Sequence, residues 1–259
     1  MSKIKKQNTV LNYVFDDFKK EQTVVFSNSL GTDLSMWDKQ IELIGTEFNI
    51  LRYDTRGHGK SEVVEGEYSI EMLGNDVLDL LDNLKIEKVI FCGLSIGGLT
   101  GQWLGIHAPE RLNKLILCNT AVKIGNNEGW NTRIETVQKN GLESIVSATQ
   151  ERWFTPKFVT QNKTEVDSVL ATFVQTPLAG YISCCAAVRD ADFTDDVFKI
   201  SVPTLIISGT KDLVTTVRDG YLLMEKIPNS LLAPLKAAHI SNIGKPNDFT
   251  KLLIEFIKN

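Results

Sequence analysis

Two periodicities alternate along the chain. Residues 9–15, 23–29, 48–54, 88–93, 112–119 and 203–209 form short runs rich in β-branched residues and nearly continuous in apolar character. Strands buried on both faces read this way, because neither face needs polar side chains. Between the runs the period lengthens. Over residues 69–84, Ile70, Leu73, Val77, Leu80, Leu81 and Leu84 fall on one stripe of a helix, while Asp76, Asp79 and Asp82 lie off it. A last short apolar run, "LLAPL", is followed by the helical pattern "DFTKLLIEFIK". Strand and helix exchanged at this spacing predict an α/β fold with a mostly parallel, doubly wound sheet.

The alternation stops between Thr120 and Lys199. That stretch carries helical periods and loop signals, Trp130, Trp153, Phe154 and the adjacent Cys184 and Cys185, but no strand pattern. Val202-Pro203 restarts the strands. A break of about 80 residues is long for a crossover, so it predicts a helical cap over one end of the sheet. The expected division is a core of residues 1–119 and 200–259 with a cap insertion at 120–199.

The stretch "VIFCGLSIGGLTGQW" raises the chemistry. Ser95 stands between Gly93 and Gly97 where a strand ends and a helix begins. A Gly-x-Ser-x-Gly match alone is weak, but this context is the one a nucleophile elbow requires: a tight turn that excludes bulky neighbours and exposes the hydroxyl. The following helix N-terminus favours developing negative charge. A serine hydroxyl attacks only when a base takes its proton. Of the three histidines, His58 sits in the glycine-rich "RGHGKS" turn and suits loop shaping. His107 ends the helix that opens at Ser95, where capping or packing is expected. His239 follows the last apolar run, on a loop at the same sheet edge, and is the expected base. Asp212, just past the strand that ends at Gly209, is the expected partner that fixes the imidazole; an aspartate there also suits a helix cap. Serine, acid and histidine in that order match the α/β-hydrolase arrangement. Its oxyanion hole needs two backbone donors. Ile96 N–H is one and Leu30 N–H, in the loop after the second run, the other. Many hydrolases of this fold begin that loop with His-Gly; here Asn28-Ser29 stands instead.

Composition narrows the alternatives. The chain has 259 residues, 42% of them hydrophobic, a net charge of -4 and three histidines. A mildly acidic balance gives no polycation for nucleic acid and no basic face for a membrane. The basic start "MSKIKKQNTV" leads into no apolar run of signal-peptide length, and no stretch approaches a membrane span. Cys92, Cys118, Cys184 and Cys185 have neither zinc-site nor disulfide-framework spacing. Buried free thiols suit a cytoplasmic protein. No metal and no organic cofactor are expected.

Seven segments then point further: "SNSLGTDLSMWDKQI", "LRYDTRGHGKS", "FCGLSIGGLTGQWLG", "NTAVKIGNNEGWNTRI", "RWFTPKF", "GYISCCAAVRDAD" and "ISGTKDLVTT". Together with "HISN" around His239 they resemble the 3-oxoadipate enol-lactone hydrolases of bacterial aromatic catabolism, over nearly the whole chain including the insertion. Ile96 stands where members often have methionine; either presents a backbone N–H. The resemblance implies hydrolysis of an enol-lactone to 3-oxoadipate in the β-ketoadipate pathway through an acyl-enzyme. Its anionic small-molecule substrate calls for a cationic or strongly hydrogen-bonding group in the pocket. Trp130 with Arg133, one helical turn apart, and Arg152 with Trp153 are two candidate pairs, and Ser29 in the oxyanion loop is a further candidate contact. Rival readings on the same architecture are a carboxylesterase, a carbon–carbon bond hydrolase, a perhydrolase and a low-turnover ligand receptor.

Overall fold

The apolar runs become the strands of one sheet. The computed structural model describes residues 2–6 and 9–259. Eight strands, β1 (Ser2–Lys6), β2 (Thr9–Asp16), β3 (Thr23–Ser27), β4 (Asn49–Tyr53), β5 (Val89–Leu94), β6 (Leu112–Cys118), β7 (Thr204–Gly209) and β8 (Ser230–Leu235), lie in the order β1-β2-β4-β3-β5-β6-β7-β8. The two pairings of β2 are antiparallel and those from β4 to β8 are parallel. β3 and β5 are buried along their whole length, as their unbroken apolar sequence requires. β1 was not legible: "SKIKK" is too polar to read as a strand, and it pairs only at the sheet's edge, where charged residues are favoured.

Helices fill the connections: α1 (Asp38–Ile44), α2 (Ile70–Leu84), α3 (Ile96–His107), then α4 (Asn127–Asn140), α5 (Val146–Trp153), α6 (Pro156–Gln161), α7 (Lys163–Val174) and α8 (Leu178–Asp190), and finally α9 (Val217–Lys226), α10 (Ser241–Gly244) and α11 (Pro246–Lys258). Ser69 caps α2 by accepting the Met72 N–H, and Lys85, in the left-handed conformation, ends it. The stripe Ile70, Leu73, Val77, Leu80 and Leu81 is buried as its period demands. Asp76 departs from the sequence reading. It is buried too, because the Arg56 guanidinium grips it through two hydrogen bonds of 2.8 and 2.6 Å. A buried carboxylate is tolerable only with such a partner, and the pair ties the "RGHG" turn to α2.

Five helices, α4 to α8, and no strand occupy the chain between β6 and β7. Their docking is intimate. A Cβ on Gly180 of α8 would lie 2.0 Å from the Gly57 carbonyl oxygen, so only glycine lets the two backbones meet there. Phe173, Tyr181, Cys184 and Cys185 are buried beneath this layer. Among the described residues no single helix is long and apolar enough to cross a membrane; α7 and α8, apolar when taken together, meet at 93°. All four cysteines are free and buried, Cys92 and Cys118 facing each other across β5 and β6 at 3.8 Å.

Candidate active site

β5 stops at Leu94 and α3 starts at Ile96, which leaves Ser95 alone on the turn with φ 60° and ψ -115°. A non-glycine residue is strained at that φ and stays only where its surroundings hold it. Here the Ser95 N–H donates to the Cys118 carbonyl at 2.9 Å, while its own carbonyl accepts from the Leu99 N–H at 3.0 Å and Thr120 Oγ1 at 2.9 Å. The flanking glycines are needed for space. A Cβ on Gly93 would sit 2.0 Å from the Gly97 carbonyl oxygen, and one on Gly97 would sit 2.4 Å from that of Ser27.

His239 lies just past β8 and Asp212 just past β7, both buried, with Nδ1 of the ring 2.8 Å from Oδ2 of the carboxylate. Parallel neighbouring strands bring their ends to one sheet edge, so a 27-residue separation in sequence becomes a contact. The Asp212 carboxylate is saturated. Oδ1 accepts the Val214 and Thr215 N–H groups at 2.7 and 3.1 Å, and Oδ2 accepts Asn119 Nδ2 at 2.9 Å and Thr215 Oγ1 at 2.8 Å. Burial pushes its pKa up. The charge of His239 and the hydrogen bonds from His239, Asn119 and the Val214 amide outweigh that, so the carboxyl lies below its ordinary range. Asp212 does not cap the next helix, whose N-cap is Thr216; its Oδ1 organises the turn before that cap while Oδ2 meets the histidine.

Asn119 and Thr215 went unread in the sequence. Asn119 directly follows β6, with φ 44°, and its Oδ1 accepts Ser241 Oγ at 2.5 Å. The signal was a polar residue closing an apolar strand at the edge where Ser95 and Asp212 also emerge. The end of α5 reaches this edge through its backbone: the His239 N–H donates to the Arg152 carbonyl at 3.4 Å and the Ile240 N–H to that of Trp153 at 3.2 Å.

The loop after β3 comes close to the elbow, the Gly97 N–H donating to the Asn28 carbonyl at 3.2 Å. Ser29 N–H points at Met36 Sδ (3.4 Å) and Gly31 N–H at His58 Nε2 (3.0 Å). Between them, Leu30 N–H has no acceptor among the described residues, and neither has Ile96 N–H. Two unpaired N–H groups on buried residues are rare in a fold of this size, and they fall on the two positions expected for an oxyanion hole.

His58 does shape its loop, by a specific route. Its Nε2 accepts from Gly31, so the proton resides on Nδ1, 3.3 Å from the Arg56 carbonyl. Burial pushes the imidazole down to about 4, against the raising effect of that carbonyl. Between pH of about 6.5 and 4 the unfolded chain binds a proton that the folded one refuses. Stability from His58 is therefore full above about pH 6.5 and is lost as pH falls toward 4, a loss of roughly 3 kcal/mol. Urea unfolding at pH 7 and pH 4.5 should show a smaller acid loss in His58→Gln, whose amide accepts a hydrogen bond without titrating. Equal losses in the two proteins would remove His58 from the account.

One cavity collects these groups. Ser29, Leu30, Ser95, Trp130, Arg133, Arg152, Trp153 and His239 line it, and Ile124, Val188 and Val214 supply apolar wall. Every side chain selected from the sequence for substrate contact therefore reaches one space, while Asp212 stands behind His239 and Ile96 adjoins through its backbone. Trp130 is fixed by its indole N–H, which donates to the Ile124 carbonyl at 2.7 Å. Arg133 lies 5.7 Å from the Trp130 and Tyr181 ring centroids and donates from Nε to the Tyr181 hydroxyl at 2.7 Å. Arg152 donates from Nε to the Ala148 carbonyl at 2.9 Å. Burial, then the charge of Arg133, lowers the Arg152 pKa. Among the described residues neither guanidinium has a carboxylate partner; the arginines that do pair lie elsewhere. Two half-buried cations without a counterion make a place for an anion.

Comparison with known proteins agrees with this geometry. Residues 22–246 match the family model of the alpha/beta hydrolase fold. Two curated proteins of Acinetobacter baylyi are similar across their length. "3-Oxoadipate enol-lactonase 2" is 45% identical, covering 94% of this chain and 91% of that protein. "3-Oxoadipate enol-lactonase 1" is 40% identical, covering 98% and 95%. The crystal structure of the enol-lactonase from Burkholderia xenovorans LB400 superimposes with a TM-score of 0.98 at 40% identity, covering 100% of both chains. The chain belongs to the α/β-hydrolase family and, within it, to the group of the 3-oxoadipate enol-lactonases.

Proposed function

We propose that this protein is a carboxylic ester hydrolase that opens 3-oxoadipate enol-lactone to 3-oxoadipate, with Ser95, His239 and Asp212 as its catalytic triad. The observation that carries the reading is the cavity in which Ser95 and His239 meet two half-buried arginines that, among the described residues, have no carboxylate partner. A general esterase has no use for such cations; hydrolysis of a lactone bearing a free carboxylate has.

His239 Nε2 takes the Ser95 proton as Oγ attacks the lactone carbonyl carbon, and Asp212 stabilises the imidazolium through Nδ1. The oxygen of the tetrahedral intermediate takes the Leu30 and Ile96 N–H bonds. Collapse breaks the ring C–O bond, and His239 returns its proton to the departing enolate oxygen. The enol passes to a ketone, which makes ring opening effectively irreversible. Water, deprotonated by His239, then releases the acyl group from Ser95. Ser29 and Trp153 border the reacting carbonyl, while Arg133 and Arg152 with Trp130 take the carboxylate end. Place in the cytoplasm is supported by the four reduced, buried thiols.

The deciding experiment follows loss of the enol-lactone chromophore with purified protein. Slow turnover of the lactone beside fast turnover of neutral phenyl esters would replace this reading with a general esterase. No step calls on a metal, and among the described residues no group of three or more His, Cys, Asp or Glu side chains is placed to hold one. Dialysis against EDTA is expected to leave lactonase activity intact; activity lost and then restored by zinc or manganese would overturn that.

A further inference from the structure

A second cavity, of about 560 Å³, adjoins the catalytic one. Its size is that of a small-molecule site. Trp153 is common to its wall and to that of the catalytic cavity. The loops that carry the catalytic pair also contribute: Lys211 and Leu213 flank Asp212, and Ala238 precedes His239. The Phe154 and Phe158 rings, stacked at 5.3 Å, form an aromatic part.

The charge here is lopsided. Lys157, Lys211, Lys236 and Lys245 border the cavity against one acid, Glu151, in a chain whose net charge is -4. Among the described residues none of the four ammonium groups has an ion-pair or hydrogen-bond partner; the lysines that pair lie elsewhere. All four lysines are exposed, so their charge acts on approaching ions through the solvent. Leu213, 72% exposed, adds an apolar rim. A separate groove that includes Thr32 and Asp33 has the reverse balance, with Asp33, Asp38 and Glu165 against Lys39. An anion is repelled near that groove and attracted near the lysines.

We propose that the lysine-rimmed cavity is the mouth that collects the anionic carboxylate substrate, with the Trp153 indole as the partition it passes to reach Ser95. The inference rests on the hydrolase reading above, and deepens it by naming how charge selects the substrate before the catalytic cavity does. Exposed lysines act over about 10 Å at 0.1 M salt, which suits capture and does not suit tight holding. Arg133 and Arg152, half-buried, do the holding.

The test uses a matched pair, mono-p-nitrophenyl succinate and p-nitrophenyl butyrate, alike in size but differing by one carboxylate, along with the enol-lactone. kcat/KM is measured between about 0.02 and 0.5 M ionic strength for the wild type, for a variant with all four lysines changed to glutamine (K157Q, K211Q, K236Q, K245Q), and for one with all four changed to arginine. In the wild type kcat/KM for the succinate ester should fall about fivefold or more with salt. The glutamine variant should start about fivefold lower at low salt and be nearly flat, with kcat and butyrate turnover unchanged. The arginine variant should keep the wild-type slope. A glutamine variant with an unaltered slope, or one that loses both esters equally, overturns the mouth. Because both esters report without the lactone, failure of the lactone assay alone would sink the substrate assignment and leave this inference to be decided on its own.

Discussion

Ser95→Ala is expected to lower kcat on the enol-lactone by roughly 10⁴- to 10⁶-fold, and His239→Ala by a similar factor. The reason lies in the division of labour. Ser95 is held at φ 60° by three hydrogen bonds to its backbone, so removing the hydroxyl should leave the turn intact and report on the proposed chemistry alone. Without the hydroxyl no acyl-enzyme forms. Without the imidazole the hydroxyl keeps its proton, and the enolate leaves unprotonated. Each loss removes the same step, so the double variant should be little worse than either single one. The residual rate comes from the oxyanion hole acting on water alone. Retention by folded Ser95→Ala of more than about a tenth of wild-type kcat would take the nucleophile's role from it; additive losses in the double variant would mean that the two residues serve separate steps.

The elements of this arrangement were unequally legible. Ser95, Asp212 and His239 could be read because each follows an apolar run, and parallel strands deliver their ends to one edge. Leu30 and Ile96 could be singled out because a backbone donor needs position and not side-chain identity, and among the described residues neither N–H has an acceptor. Asn119 and Thr215 could not be read the same way. Their hydrogen bonds to Asp212 depend on side-chain direction at residues that look like ordinary strand-end and turn positions. Asp76 misled for a related reason: the stripe of α2 puts it off the core face, yet Arg56, 20 residues earlier, makes its burial tolerable. Asp54 is a third case. The last residue of the run 48–54, it carried no signal of its own in the sequence, yet it accepts the Leu34 and Lys60 N–H groups at 2.8 and 2.9 Å and so braces the loop that carries Leu30. Periodicity reports which face is apolar; it is blind to pairs that make a polar face buriable. The helical stretch between β6 and β7 was legible in kind, while its docking on Gly57 through Gly180 was not.

Arg133→Leu is expected to cost thirty- to a thousandfold in kcat/KM on the enol-lactone, about 2–4 kcal/mol. A small lactone gains little from apolar burial, so selectivity over neutral esters has to come from its carboxylate. Arginine suits this, its planar fork offering two parallel hydrogen bonds. At Arg133 the Nε edge is already committed to the Tyr181 hydroxyl at 2.7 Å, and the guanidinium carbon lies 5.7 Å from each of the Trp130 and Tyr181 ring centroids. That leaves the two terminal Nη groups for substrate on a cation that does not have to be ordered at the moment of binding. Arg152, whose Nε donates to the Ala148 carbonyl of its own helix, is the second candidate. The leucine variant also deprives the buried Tyr181 hydroxyl of its partner, so Arg133→Lys is the companion: it keeps the charge and should recover part of the lactone activity. Neutral phenyl esters should lose far less in either variant, because they carry nothing for the cation to hold. Equal losses on lactone and neutral ester would mean that the variant has disturbed the packing of α4 on α8, and an unchanged lactone rate would move the role to Arg152, whose leucine variant would then have to show the thirtyfold loss.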